Sequence, residues 1–319
     1  MYNLFMLIIS FAALLWSANH VVTGASGIAY NYRLPPLLIG FTLVALGTSA
    51  PEIMIAVNAT LEGLPDIAIG NAIGTNIANI GLVLGITALI KPLTLQSSLL
   101  SREYPLLFLV MLFTYSLMLD GYLGIVDSCL FLLACVAMLS YLLLTSRQSL
   151  VAARVNQAFQ QAWFRKRSIR LHTLSFVLGI IILPLSAHYL IEASAGLAHR
   201  LGMSDLIIGL TLVAFGSSLP ELVTSIIAAL RGADDLAVGN ILGSNLFNLL
   251  TVMIFPGMIH PAVISHAVLW RDVPVMFGAT LILLWGSYRN KRKLARWHGV
   301  LLIMVYFSYI ISLLISASH

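Results

Sequence analysis

The sequence predicts an all-α polytopic membrane protein of ten transmembrane helices, arranged as two inverted-topology five-helix repeats. Three observations predict it. The chain has 319 residues, of which 60% are hydrophobic and 9% charged, with a mean hydropathy of +0.97. Soluble domains carry about 25% charged residues, so this chain could not cover its own surface in water. Apolar runs of membrane-spanning length, roughly 20 residues, recur along the whole chain. One half of the chain then repeats in the other at a fixed offset.

The first run, at about 3–28, has no basic leader and is too long for a signal peptide, so it reads as a retained helix. Runs at about 35–61 and 66–90 follow; they are apolar but interrupted by "GTSAPE" (Gly47–Glu52) and "GNAIGTNIAN" (Gly70–Asn79). Runs at about 104–119 and 122–145 complete the first half. Cys129 and Cys135 lie six apart in one of them, off a shared face, and read as packing residues. A basic linker containing "WFRKRSIR" (Trp163–Arg170) comes next. Five further runs, at about 172–198, 205–230, 235–259, 273–288 and 298–316, form the second half. The domain reading is therefore 1–145 for the first repeat, 146–171 for the linker and 172–319 for the second repeat.

Ten spans sort the loops onto two sides. One side receives fifteen of the 17 lysines and arginines; the other receives only Arg200 and Arg271. The positive-inside rule places the basic side in the cytoplasm and both termini outside. The net charge of +5 is thus mainly a topology signal. The linker reads as an orienting loop able to touch anionic lipid, not as a nucleic-acid patch.

"GFTLVALGTSAPE" at Gly40–Glu52 returns as "GLTLVAFGSSLPE" at Gly209–Glu221, and "DIAIGNAIGTNIAN" at Asp66–Asn79 as "DLAVGNILGSNLFN" at Asp235–Asn248. The offset is 169 without a gap, and 20 of 44 positions agree between 40–83 and 209–252. Five spans is an odd number, so the second copy enters the membrane from the opposite side. Secondary transporters are often built from such inverted repeats and bind substrate near the midplane on interrupted helices.

Pro51 and Pro220 lack an N–H, so the carbonyls of Gly47 and Gly216 lose their helical partners. Thr48 and Glu52 are four apart, on one face of one turn, and Ser217 and Glu221 repeat that spacing. Thr75 and Asn79, and Ser244 and Asn248, do the same on the following span. Gly70, Gly74, Gly239 and Gly243 read as close-packing positions. Acids at membrane depth mark function. The groups gathered here offer oxygen, which suits hard cations such as Ca²⁺; soft metals would want cysteine or histidine, and none stands in these motifs. No Ser/His pair, "HExxH" or phosphate loop accompanies the acids, which argues against an enzyme. A cation channel could also use acids and freed carbonyls, but its flux would not need a counter-ion. Glu192, His188, Asn19 and His20, in the sixth and first spans, are weaker leads.

The paired motifs resemble the two alpha-repeats of the sodium/calcium exchanger family, within the cation/calcium antiporter superfamily, in its prokaryotic form without a regulatory domain. The resemblance implies that the second, third, seventh and eighth helices form the site and that the first and sixth slide across them. It implies that Glu52 and Glu221 bind Ca²⁺ and Na⁺, and that Thr48 and Ser217 give backbone oxygen to Ca²⁺. Ser49, Ser218, Thr75, Ser244 and the carbonyls of Ala45 and Ala214 would complete the Na⁺ sites, with Asn79 and Asn248 as polar ligands or water anchors. Some relatives carry aspartate where this chain has Asn248. In potassium-dependent members that acid is tied to K⁺, so Asn248 leans against K⁺ coupling. The second-span motif leans against H⁺ coupling.

The expected function is therefore Na⁺/Ca²⁺ antiport by alternating access, in the plasma (inner) membrane of a prokaryote. Its partners would be the two transported ions and the lipid bilayer, with no cofactor and no nucleic acid. An H⁺- or K⁺-coupled divalent exchanger and a cation channel are the alternatives. With both glutamates ionised, an empty site carries two negative charges out of water, costing on the order of several kcal/mol per unpaired charge. One Ca²⁺ or two Na⁺ neutralise them. Three Na⁺ per Ca²⁺, as the resemblance implies, would make the cycle voltage-sensitive.

Overall fold

The computed structural model describes residues 2–32, 34, 36–95, 102–148, 168–200, 216–289 and 293–317. They form helices almost throughout: α1 (Tyr2–Tyr32), α2 (Leu37–Thr48), α3 (Ala50–Leu61), α4 (Pro65–Ile90), α5 (Tyr104–Met118), α6 (Ile125–Gln148), α7 (Ile169–Arg200), α8 (Leu219–Leu230), α9 (Asp234–Ile259), α10 (Val268–Arg289) and α11 (Arg296–Ala317). Among the described residues seven helices are long and apolar enough to cross a membrane, eight when α2 and α3 count as one broken span. The protein is thus an integral membrane protein. α5, at 15 residues, is shorter, and the first part of the predicted seventh span, 205–215, lies outside the described residues.

The helices sort into two compact units, and each draws on both repeats: Met1–Pro51 with Ser146–Asn240, and Glu52–Thr145 with Ile241–His319. In the first unit α1 lies along α7 at backbone contact. A Cβ on Gly24 would sit 2.5 Å from the Phe176 nitrogen, and one on Gly179 would sit 2.7 Å from the Val21 nitrogen. Small residues let membrane helices approach this closely and exchange dispersion contacts over their length. Arg231, just past α8, donates to Thr23 Oγ1 at 2.6 Å and to Asn19 Oδ1, so the polar side of α1 is tied to that turn.

In the second unit α11 crosses α4 at another glycine pair: a Cβ on Gly299 would sit 2.5 Å from the Gly85 carbonyl oxygen. Four two-residue strands pair across the repeats. β1 (Leu93–Thr94) meets β4 (Lys293–Leu294) antiparallel, with Leu93 opposite Leu294, and β2 (Tyr122–Leu123) meets β3 (Ala262–Val263), with Tyr122 opposite Val263. β1 and β3 are equivalent segments 169 apart, so each repeat lends one strand to the other's loop. Asn245 donates its amide to the carbonyl of Asn76, its own equivalent, at 3.4 Å. A residue that touches its equivalent lies beside the axis relating the copies.

Gly63 and Gly232, also equivalent, carry φ of 75° and 77°. Each turns the chain tightly after α3 or α8, in a conformation only glycine adopts without strain.

Candidate functional site

The quoted motifs fall where the helices fail. α2 stops at Thr48 and the chain resumes as α3 at Ala50; the intervening Ser49 has φ −81° and ψ 6°. Ser218, its equivalent, has φ −85° and ψ 4° and precedes α8. Both lie in the sparsely populated bridge region, where functional residues often sit. The cause is local: Pro51 and Pro220 sit in the first turn of the new helix, where a missing N–H costs nothing. The expectation that Thr48 and Glu52 share a face of one uninterrupted turn is therefore corrected, and likewise Ser217 and Glu221: each pair straddles a break. The glutamates instead fall in the first turns of α3 and α8, where the helix dipole favours a negative charge.

Both acids are 0% exposed. In the first unit Ser49 Oγ donates to Glu221 Oε1 at 3.3 Å, joining a first-repeat hydroxyl to the second-repeat acid. That unit also holds Ala45, Thr48, Ser217 and Ser218, all but Ser217 buried, and the Ser218 hydroxyl has no partner among the described residues. Ala214 lies outside the described residues.

The second unit holds Glu52, Thr75, Asn79, Ser244 and Asn248, all buried. Asn71 donates to the Glu52 carbonyl oxygen at 3.4 Å and accepts from Thr75 Oγ1 at 3.4 Å. α4 and α9 each loosen into a π-helical stretch, Asn79–Leu84 and Asn248–Val252, and both stretches begin at the predicted asparagine. π-bulges of this kind recur at functional sites. Asn79 and Asn248 are 0% exposed, and neither end of either amide has a hydrogen-bond partner among the described residues. Amide oxygens of this kind are among the ligands that hard cations accept.

The structure adds residues the sequence reading passed over. Asn240, at 0% exposure, accepts from Thr48 Oγ1 at 3.0 Å and donates to Ser225 Oγ at 3.1 Å. Asn76 and Asn245, buried, and Asn71, half-buried, also belong to the polar set. Their signal was present: all four asparagines are identical across the 169-residue offset, beside the glycines that drew attention instead. Of those glycines Gly239 does pack closely, with a Cβ placed 2.6 Å from the Leu37 carbonyl oxygen. A Cβ on Gly70 or Gly74 would meet nothing within 4 Å among the described residues.

Each unit offers a carboxylate, hydroxyls, amide oxygens and backbone carbonyls at a broken helix, most of them buried. Among the described residues no cluster of histidine, cysteine and acid fit for a transition metal occurs. That chemistry suits the transfer of hard cations.

Comparison with known proteins agrees. The chain is 41% identical over 304 residues to the protein CaxA of Alkalimonas amylolytica, covering 95% of each. It is 30% identical over 344 residues to the sodium/calcium exchanger MaX1 of Methanosarcina acetivorans, covering 98% of each. The solved structure of the sodium-calcium exchanger NCX_Mj, soaked with Na⁺ and Ca²⁺, superposes with a TM-score of 0.84 at 28% identity, covering 98% of this chain and 99% of that one. The family profile of the sodium/calcium exchanger proteins matches residues 2–146 and 171–315, one stretch for each repeat. With its duplicated motifs, broken helices and buried acids, the chain belongs to the sodium/calcium exchanger family.

Proposed function

We propose that this protein exchanges Na⁺ for Ca²⁺ across a membrane by alternating access, moving net charge in each cycle. One observation carries the reading: two equivalent glutamates, Glu52 and Glu221, are each fully withdrawn from solvent at a broken helix in an otherwise apolar span. A charge in such a place is costly unless a cation compensates it. Relatives named as sodium/calcium exchangers support the choice of ions.

In this proposal Glu52 and Glu221 take up the ions as carboxylates. Thr48 and Ser217 give backbone oxygen to Ca²⁺. Ser49, Ser218, Thr75, Ser244, Ala45 and Ala214 serve Na⁺, and Asn79 and Asn248 anchor an ion or its water. Without its ions the protein would hold two carboxylates out of water, so it changes sides only when loaded, which makes exchange obligatory. The basic linker faces the cytoplasm of a prokaryotic cell, and both termini face out. The asparagines at 79 and 248 leave two acids in the set and favour Na⁺ over K⁺ as the coupling ion.

The test is ⁴⁵Ca²⁺ uptake into proteoliposomes with a Na⁺, K⁺ or H⁺ gradient imposed one at a time. The expected result is uptake with outward Na⁺ alone. Uptake driven by K⁺ or H⁺ would reassign the coupling ion, and uptake without any counter-gradient would make the protein a channel.

A further inference from the structure

Among the described residues, one hydroxyl proton in the first unit has two acceptors. Thr48 Oγ1 lies 3.0 Å from Asn240 Oδ1 and 3.2 Å from the carbonyl oxygen of Ala45, three residues back in its own helix. The Ala45 carbonyl also accepts the Ser49 N–H at 2.9 Å. A carbonyl oxygen has two lone pairs. If the Thr48 proton went to it, both would be taken and none would remain for a cation.

Asn240 is held so as to compete for that proton. Its Nδ2 donates to Ser225 Oγ at 3.1 Å, and Ser225 Oγ donates to the Ala237 carbonyl oxygen at 3.4 Å. Thr48, Asn240 and Ser225 are all 0% exposed, so water does not compete. Linked hydrogen bonds in such surroundings reinforce one another. The chain of donors fixes the amide orientation: its nitrogen is engaged by Ser225, so its oxygen faces Thr48.

The first repeat lacks this device. Ala56 stands where the second has Ser225, and the equivalent Asn71 turns its amide nitrogen to the Glu52 carbonyl instead, at 3.4 Å. The two copies are therefore wired differently around an asparagine that both repeats carry.

We infer that Asn240 is a positioning residue for Na⁺: by drawing the Thr48 hydroxyl proton to itself, it keeps a lone pair of the Ala45 carbonyl open for the ion. This rests on the proposed role of Ala45 in Na⁺ binding. Without Asn240 the hydroxyl falls back on Ala45, as threonines in helices commonly do on a preceding carbonyl, and one Na⁺ ligand is lost.

The test uses the full chain in proteoliposomes and reads two quantities: Na⁺ half-saturation of ⁴⁵Ca²⁺ flux, and Ca²⁺ half-saturation of Ca²⁺/⁴⁵Ca²⁺ exchange without Na⁺. Asn240→Ala is expected to raise the Na⁺ value about 3- to 10-fold, the worth of one net hydrogen bond, and the Ca²⁺ value less than about twofold. Adding Thr48→Val to Asn240→Ala removes the competing proton, so the double variant should recover most of the lost Na⁺ affinity. A merely structural asparagine predicts no such recovery. An unmoved Na⁺ value, equal shifts for both ions, or a double variant worse than the single one would overturn the inference. Should Asn240→Ala not fold, Ser225→Ala loosens the same amide and is expected to raise the Na⁺ value about two- to threefold; no change there overturns it equally. A wild-type protein in which Na⁺ drives no ⁴⁵Ca²⁺ flux would instead overturn the exchanger reading, and this inference with it.

Discussion

Asn79 and Asn248 each bury a whole amide that meets no hydrogen-bond partner among the described residues. An unsatisfied buried group costs about 1–3 kcal/mol, and functional sites are where proteins accept such costs. Asn248→Leu keeps the branching at Cγ and removes the open polar atoms. In ion-free detergent it should raise the apparent melting temperature, while Na⁺-driven ⁴⁵Ca²⁺ uptake falls at least about tenfold. Thermal unfolding with and without Na⁺ checks both halves; a lower melting temperature with unchanged transport would contradict the assignment. Much of the candidate site was legible at this scale. Glu52 and Glu221 stood out because acids are rare in apolar runs, and Asn79 and Asn248 because they recur at one offset. Asn240 was not legible. Its role depends on which hydroxyl it meets 192 positions away along the chain, and no spacing rule reports that. Nor was the separation of Thr48 from Glu52 by a break, because a proline four residues after a glycine reads equally as a kink or as a new helix start.

The elements carry a different kind of information. Helix ends could be placed from hydropathy, but the π-helical stretches at Asn79–Leu84 and Asn248–Val252 could not, since one extra residue per turn leaves no mark on composition. The pairing of α1 with α7 follows from glycines whose missing side chains admit backbone. At Gly24 an added Cβ would lie 2.5 Å from the Phe176 nitrogen, and backbone has no rotamer to yield. Gly24→Leu should therefore force the two helices apart, at a cost of about 1–3 kcal/mol or more, seen as a lower apparent melting temperature. Gly278→Ala, whose Cβ would meet nothing within 4 Å among the described residues, serves as the contrast. Equal melting temperatures for the two variants would refute the tight crossing. The same contact bears on motion: helices locked backbone to backbone move as one body, and Arg231 ties that body to the turn after α8 through Thr23 and Asn19.

Over the whole molecule the duplication explains most of what the sequence predicts. An odd number of spans per copy requires opposite insertion, and the strong bias of lysine and arginine to one set of loops gives a sense to that orientation. The division into compact units was not foreseen. Each unit takes its helices from both repeats, so a repeat is a unit of descent here and not a unit of packing. Function follows from charge. In the proposed mechanism the two buried acids would make the unloaded state expensive and the loaded state cheap, which is the condition for exchange without leak. The most direct measurement is Na⁺-gradient-driven ⁴⁵Ca²⁺ uptake into proteoliposomes for wild type, Glu52→Gln and Glu221→Gln, with folding checked by size exclusion. Either substitution is expected to abolish uptake, whereas near-wild-type uptake in both variants would contradict the account.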